Sequence, residues 1–284
     1  MASFYNQATL SYNGNTTTSN ITTGEILEVL SATKTALRDT YSSNEKVTYI
    51  ISIINSGSTA FTGLTVTDNL GAVAGEPATR RPLTFVDNSI RYYINGVIVT
   101  APTVTSVSPL TITGINIPAG GNAVIIYQAA VNQYAPLDTG STIINTATIS
   151  GTGLTNDIDV SESVTVDNTA MLTISKSLSP TTVTENGQIT YTFIIQNLGN
   201  TAAVAADNVT ITDTFNPVLD PISVTFNGKA WATDTNYTYD NTTGAFATVP
   251  GQLTVPAATY TKDPDTGAWT VHPGVSTLTV TGTV

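Results

Sequence analysis

The chain contains no cysteine, so neither a disulfide framework nor a thiolate metal site can be built from it. It has one histidine, His272, which leaves no material for a multi-histidine metal centre and little for a histidine-based catalytic set. Lysine and arginine together number nine in 284 residues. Phosphate backbones are held by clusters of such residues, so nucleic acid is not expected as a partner. No apolar run is long enough to span a bilayer. The opening residues, Met1-Ala2-Ser3-Phe4-Tyr5-Asn6, carry no basic region and no apolar stretch, so no secretory signal is expected there. Convincing helical periodicity is missing as well. No acidic spacing resembles an EF-hand or a repeat-in-toxin calcium loop, and Asp157, Asp159, Asp207, Asp263 and Asp265 read as solvated turn residues. No metal and no cofactor are expected. With no catalytic set in view, the chain is not expected to be an enzyme.

What remains is a β-rich chain with a formal net charge of −11 and 40% hydrophobic residues, enough for two ordinary cores. Period-two runs such as Val47 to Ile53 and Gln188 to Ile195 recur. Turn signals bound them at Asn55-Ser56-Gly57, Asn95-Gly96, Pro118-Ala119-Gly120-Gly121 and Asn227-Gly228. Many short strands at this spacing predict an all-β chain of tandem Ig-like sandwiches.

The two halves repeat. Leu30-Ser31-Ala32-Thr33-Lys34 matches Leu172-Thr173-Ile174-Ser175-Lys176, and Thr48 to Gly57 matches Thr190 to Gly199. Leu64 to Leu70 matches Val209 to Phe215. The first copy then runs through Gly121 to Tyr127 and on to Ile143-Ile144-Asn145-Thr146-Ala147-Thr148-Ile149, whereas the second reaches the matching Gly274 to Val280 and stops at Val284. Its last strand stands at the other end of the chain. Phe4-Tyr5-Asn6-Gln7-Ala8-Thr9-Leu10 matches Ile143 to Ile149 without gaps, and Ser19-Asn20-Ile21 weakly continues the match against Ile158-Asp159-Val160.

A sandwich without an edge strand exposes unpaired backbone and an apolar slot. The reading is therefore a donor segment 1–14, a tether 15–27, a first sandwich 28–166, and a second, incomplete sandwich 170–284. Phe4, Asn6, Ala8, Leu10 and Tyr12 form the donor strand. Donation to the next subunit is heterologous and gives a head-to-tail filament. Donation within the chain gives a monomer with a permuted second domain, suited to adhesion or ligand binding through the insert-rich region 229–272.

Strand parity places Lys34, Asp68 and Asn145 on apolar faces of the first sandwich, and Lys176, Asp213 and Asn6 on the matching faces of the second. A desolvated lysine amine can attack an asparagine carboxamide while a neighbouring carboxyl relays protons. The candidates are a Lys34–Asn145 isopeptide bond assisted by Asp68, and an intersubunit Lys176–Asn6 bond assisted by Asp213. The other reading of the same residues is a buried Lys–Asp pair tied by Asn, or side chains that stay wet at the rim. Trp231 and Trp269 are expected to pack the second domain, and His272 to lie at the surface.

The strand-borne Lys34 and Lys176, the Asn-x-Gly ends at Gly57 and Gly199, Thr67-Asp68 and Thr212-Asp213, and Asn145-Thr146-Ala147-Thr148 with Asn6-Gln7-Ala8-Thr9 resemble a bacterial surface conserved-repeat family of unknown function, often linked to isopeptide-forming fimbrial domains. Gln7 departs from its usual Thr, and neither Asp is followed by the family's common Leu-Pro. Size and composition also resemble subunits of the ribbon-like spore appendages of clostridia. The resemblance implies a structural, pilus-like fibre subunit on a cell or spore surface whose partner is itself.

Overall fold

A computed structural model describes residues 2–74 and 79–284. Met1 of the expected donor segment and residues 75–78 of the first domain lie outside the described residues. The described residues are all-β apart from a 3-10 turn at Ala205–Asp207. Among the described residues no helix is long and apolar enough to cross a membrane. Two compact units are present, Met1–Ala135 with Thr142–Thr165, and Pro136–Ser141 with Val166–Val284.

Residues 2–26 form an arm. Strand β1 (Ala2–Asn6) pairs antiparallel with β4 (Thr22–Ile26), and β2 (Thr9–Tyr12) with β3 (Asn15–Thr18). Asn13 and Gly14 close the arm with φ of 42° and 79°, the paired left-handed values of the two-residue turn that suits strand twist. The expected tether 15–27 is thus mostly strand, and the segment read as an unpaired donor is already half of a hairpin. The reason is local: backbone donors and acceptors in water still pair when an Asn-Gly turn brings two Thr-rich segments together.

The first sandwich comprises β5 (Leu30–Ala36), β6 (Thr40–Tyr41), β7 (Lys46–Asn55), β8 (Phe61–Asp68), β9 (Leu83–Phe85) and β10 (Arg91–Ile94). It continues with β11 (Val97–Val99), β12 (Thr103–Val107), β13 (Leu110–Ile117), β14 (Asn122–Val131), β15 (Thr142–Ser150) and β16 (Ile158–Val166). One sheet runs β11-β10-β14-β7-β5, with β9 also on β14; the other runs β12-β13-β8-β15-β16-β6. Burial alternates residue by residue along β7 and β14, as a half-buried strand requires. Tyr49, Ile51, Ile53, Ile125 and Tyr127 from one sheet meet Leu64, Val66, Ile112, Ala147 and Ile149 from the other, all fully buried. Each large apolar side chain so buried stabilises the fold by about 1.5–3 kcal/mol.

The second unit comprises β17 (Leu172–Ser179), β18 (Gln188–Asn197), β19 (Thr212–Thr214), β20 (Ile222–Phe226) and β21 (Lys229–Trp231). It is completed by β22 (Tyr237–Tyr239), β23 (Ala245–Thr248), β24 (Thr259–Lys262), β25 (Trp269–His272) and β26 (Gly274–Thr283). One sheet runs β17-β18-β26-β20-β21, retaining the plan of the first unit. The other is only β19-β23-β22. Its core is aromatic: Phe215 stacks on Tyr191 at 5.0 Å and meets Phe246 at 5.6 Å. Trp231 packs against Phe226 at 4.9 Å. Trp269 sits instead on the separate two-stranded pair β24-β25, and His272 is exposed there, 2.8 Å from the Thr261 hydroxyl.

A buried asparagine pins the same loop in each unit. Asn55 Nδ2 donates to the carbonyls of Thr59 (2.8 Å) and Pro118 (3.0 Å), and its Oδ1 accepts from Gly57 N–H (2.9 Å). Asn197 Nδ2 donates to the carbonyls of Thr201 (2.7 Å) and Pro256 (3.0 Å), and its Oδ1 accepts from Met171 and Gly199 N–H groups, both at 2.9 Å. Replacing either residue strands several buried backbone groups. Asn197→Ala is expected to destabilise the second unit by about 2–4 kcal/mol in chemical denaturation while leaving the first unit's transition in place.

Candidate functional site: a closed cluster and its open counterpart

Residues 30–57 and 172–199 align without a gap, so each position in that stretch has a counterpart 142 residues later. In the first unit Lys34 stands on β5 between Ala32 and Ala36 and is 4% exposed. Its Nζ donates to Asp68 Oδ2 at 2.6 Å, and both side chains are completely shielded from solvent. Asp68 ends β8, with its Oδ1 accepting from Leu70 N–H at 2.9 Å. The Tyr127 hydroxyl, on β14, donates to Asp68 Oδ2. Asn145, on β15, donates from Nδ2 to the Tyr127 hydroxyl oxygen at 3.3 Å, and its Oδ1 accepts from Gly71 N–H at 3.2 Å. Gly71 has φ of 70°, and a Cβ there would fall 2.6 Å from Ile143, so a side chain at 71 would disturb the backbone that delivers this N–H.

All three residues read from the sequence therefore meet in one buried cluster, with Lys34 on Asp68 directly and Asn145 joined through Tyr127. Burial is the main force lowering the Lys34 pKa, opposed by the Asp68 charge and hydrogen bond. Burial likewise pushes the Tyr127 and Tyr49 phenols up, with Asp68 adding to both. The Tyr49 ring lies 4.9 Å from Lys34 Nζ and stacks on Tyr127 at 5.6 Å. Its buried hydroxyl meets no partner in good hydrogen-bond geometry, although the Asn145 side chain is close enough to act on it. The tyrosines were absent from the candidates because parity groups them with the apolar face of β14 and β7, where an aromatic reads as core. A tyrosine repeated on that face in both halves, at 49 and 191, is the signal that finds one of them.

The second unit holds the same pair without its cover. Lys176 bonds Asp213, and the ammonium sits over the Tyr191 ring at 4.3 Å and near Phe193 and Phe215, both at 5.4 Å. Yet the Lys176 side chain is 39% exposed and that of Asp213 18%. Val280 holds the place of Tyr127, each lying opposite the repeated tyrosine of the neighbouring strand, so the bridging hydroxyl has no counterpart. Ile174, on the Lys176 face of β17, is 56% exposed. The cause is topological: β8 pairs with β15 on its outer side, whereas β19 pairs only with β23.

Asn6, the residue matched to Asn145, lies on the exposed arm opposite Thr22. Phe4, Leu10 and Tyr12 are 55–60% exposed, and Ala8 is exposed as well. The acidic turns behave as self-contained loops: Asp240 is held near a pKa of about 2 by the hydroxyl and N–H of Thr242 and the hydroxyl of Thr243. Asp263 accepts from the N–H groups of Asp265 and Thr266.

The two pairs differ in what they cost to break. Asp68→Ala leaves Lys34 buried without a counterion and is expected to destabilise the first unit by about 3–5 kcal/mol. Asp213→Ala, at a site open to water, is expected to shift the second unit by at most about 1 kcal/mol. Urea titration of both variants checks the contrast.

No protein-family profile matches the sequence, and no curated protein sequence does. Among solved structures, the major pilin subunit BcpA of Bacillus cereus aligns at 13% identity and a TM-score of 0.37 over 95% of this chain and 73% of that one. The pilus backbone RrgB of Streptococcus pneumoniae aligns at 10% and 0.35 over 86% and 55%. Collagen adhesin CNA of S. aureus aligns at 12% and 0.33 over 53% of this chain. The match spans 55% of the adhesin structure. Identities and TM-scores this low place the chain in none of these families.

Proposed function

We propose that the chain is the structural subunit of a surface fibre that assembles head to tail, the N-terminal segment of one copy completing the C-terminal sandwich of the next. One observation carries the reading. The second unit exposes a Lys–Asp pair and a strand edge that the first unit covers with β15, and the segment whose sequence matches β15 lies exposed at the N-terminus. Pairing the two satisfies backbone groups on both and buries apolar surface on both. The contact joins different surfaces of identical copies, so it propagates. A spore surface or other cell exterior is the setting that the resemblance implies for such a fibre. The function is architectural, with no turnover of a separate substrate.

The buried cluster supports covalent locking. Lys34 Nζ, giving its proton to Asp68, attacks Asn145 Cγ. The carboxamide oxygen develops negative charge where Gly71 N–H already points, and Asp68 returns a proton to the departing nitrogen. A C–N bond forms, a C–N bond breaks, and the second proton of the lysine nitrogen passes through Asp68 to the ammonia, which leaves as ammonium. In the fibre Lys176, Asp213 and the neighbour's Asn6 would repeat the reaction across the joint.

Negative-stain electron microscopy of the full chain and of a version lacking residues 2–14 tests assembly: fibres are expected from the first and short particles from the second. Particles of one size from both would sink the proposal. Intact-mass spectrometry of the monomer tests the internal bond. A mass short by one ammonia is expected, restored to the full value by Asp68→Ala and by Lys34→Met. Boiling fibres in SDS tests the joint: ladders of multiples are expected from the parent chain and single subunits from Asn6→Ala.

A further inference from the structure

On the plan of the first unit, the gap in the second is two strands wide. In the first unit the order β8-β15-β16-β6 puts two strands between β8 and β6. Residues 212–214 of β19 stand for β8, and Thr182-Val183, a bend outside the unit's sheets, is the sequence counterpart of Thr40-Tyr41 of β6. No described strand pairs β19 on the side that β15 covers in β8. Tyr41, paired through β6 to β16, is 0% exposed; its counterpart Val183 is 37% exposed. Adjacent strands lie about 4.8 Å apart, so one donated strand beside β19 fills half of the space and leaves Val183 in water.

The arm has the required width. Its two sides, four and five residues each (β1 with β2, β3 with β4), match the nine-residue lengths of β15 and β16. Asn6 faces Thr22 across the arm as Asn145 faces Glu162 across β15-β16. Apart from Gly24, whose missing side chain makes room for the Phe4 ring, every residue from 3 to 25 is exposed. A lone hairpin is marginal in water, and this one has no core of its own.

We infer that the donor is the whole hairpin, residues 2–26 of a second copy, entering as one preformed piece. β1 and β2 lie against β19, with Thr9 opposite Thr212 as Thr148 is opposite Thr67, and β3 and β4 cover Thr182-Val183. A hairpin already formed loses less freedom on docking than a disordered strand and covers both places at once. The inference rests on the head-to-tail reading above and adds the second strand and its landing place.

Full-length variants separate the two claims, with assembly followed by light scattering and electron microscopy. In the first, residues 15–26 are replaced by a Gly/Ser segment of equal length, which keeps residues 2–14 and their reach. The second is Val183→Asp, a change at a position the free chain exposes. Each is expected to raise the concentration needed for fibres more than about tenfold, with the circular dichroism spectrum and thermal transitions of the sandwiches unchanged. Phe4→Ser with Leu10→Ser, which strips the apolar face of the first strand, is expected to abolish fibres. Parent-like assembly by the segment replacement or by Val183→Asp, while Phe4→Ser/Leu10→Ser fails, overturns the hairpin and leaves single-strand donation standing. Parent-like assembly by all three, or a parent chain that stays monomeric, overturns both.

Discussion

A β-sheet ends only where its backbone hydrogen bonds can end, and in a sandwich that limit also decides whether the core is covered. The first unit meets it with β15 and β16, which pair β8 on one side and β6 on the other. The second unit meets it on one sheet and not on the other. The exposure of Lys176, Ile174 and Val183 follows from that single omission, because their counterparts Lys34, Ala32 and Tyr41 lie on strands of the same register with the cover in place.

The same omission sets the chemistry of the two clusters. With the cover on, the Lys34–Asp68 pair is dry, burial works against the lysine charge, and Asn145 is delivered to the pair on β15 with its carbonyl oxygen already accepting from Gly71. With the cover off, Lys176 and Asp213 form an ordinary ion pair at a wet edge, flanked by aromatic rings that hold the ammonium in place. On the proposed reading docking would bring both the missing carboxamide and the missing desolvation, so that the reactive state arises only at a completed joint. The order is useful for a fibre, since a free subunit then carries no activated group at its joint.

Much of this was legible in residue order. The period-two runs, the Asn-x-Gly loop ends and the internal repeat point to two sandwiches, and parity alone puts Lys34, Asp68 and Asn145 on inward faces. Two things were not. Tyr127 joins the cluster through its hydroxyl, but strand parity describes a face and not which tip reaches across to the opposite sheet. The arm's second strand was read as tether because residues 15–26 lack the apolar alternation that marks a half-buried strand, although Asn13-Gly14 has the same turn chemistry as Asn95-Gly96.

The sequence by itself determined the strand-rich class, the repeat, and the likeness of residues 4–10 to the last-strand motif of the first copy, since these depend on local periodicity and on likeness between segments. Tertiary structure alone decided that the arm is a hairpin, that Lys34 is sealed while Lys176 is not, and that β19 lacks the partner that β15 gives to β8. Solvent exposure and strand order are properties of what lies alongside a residue in space, and neighbouring strands in these sheets can be as distant in the chain as β6 (Thr40–Tyr41) and β16 (Ile158–Val166).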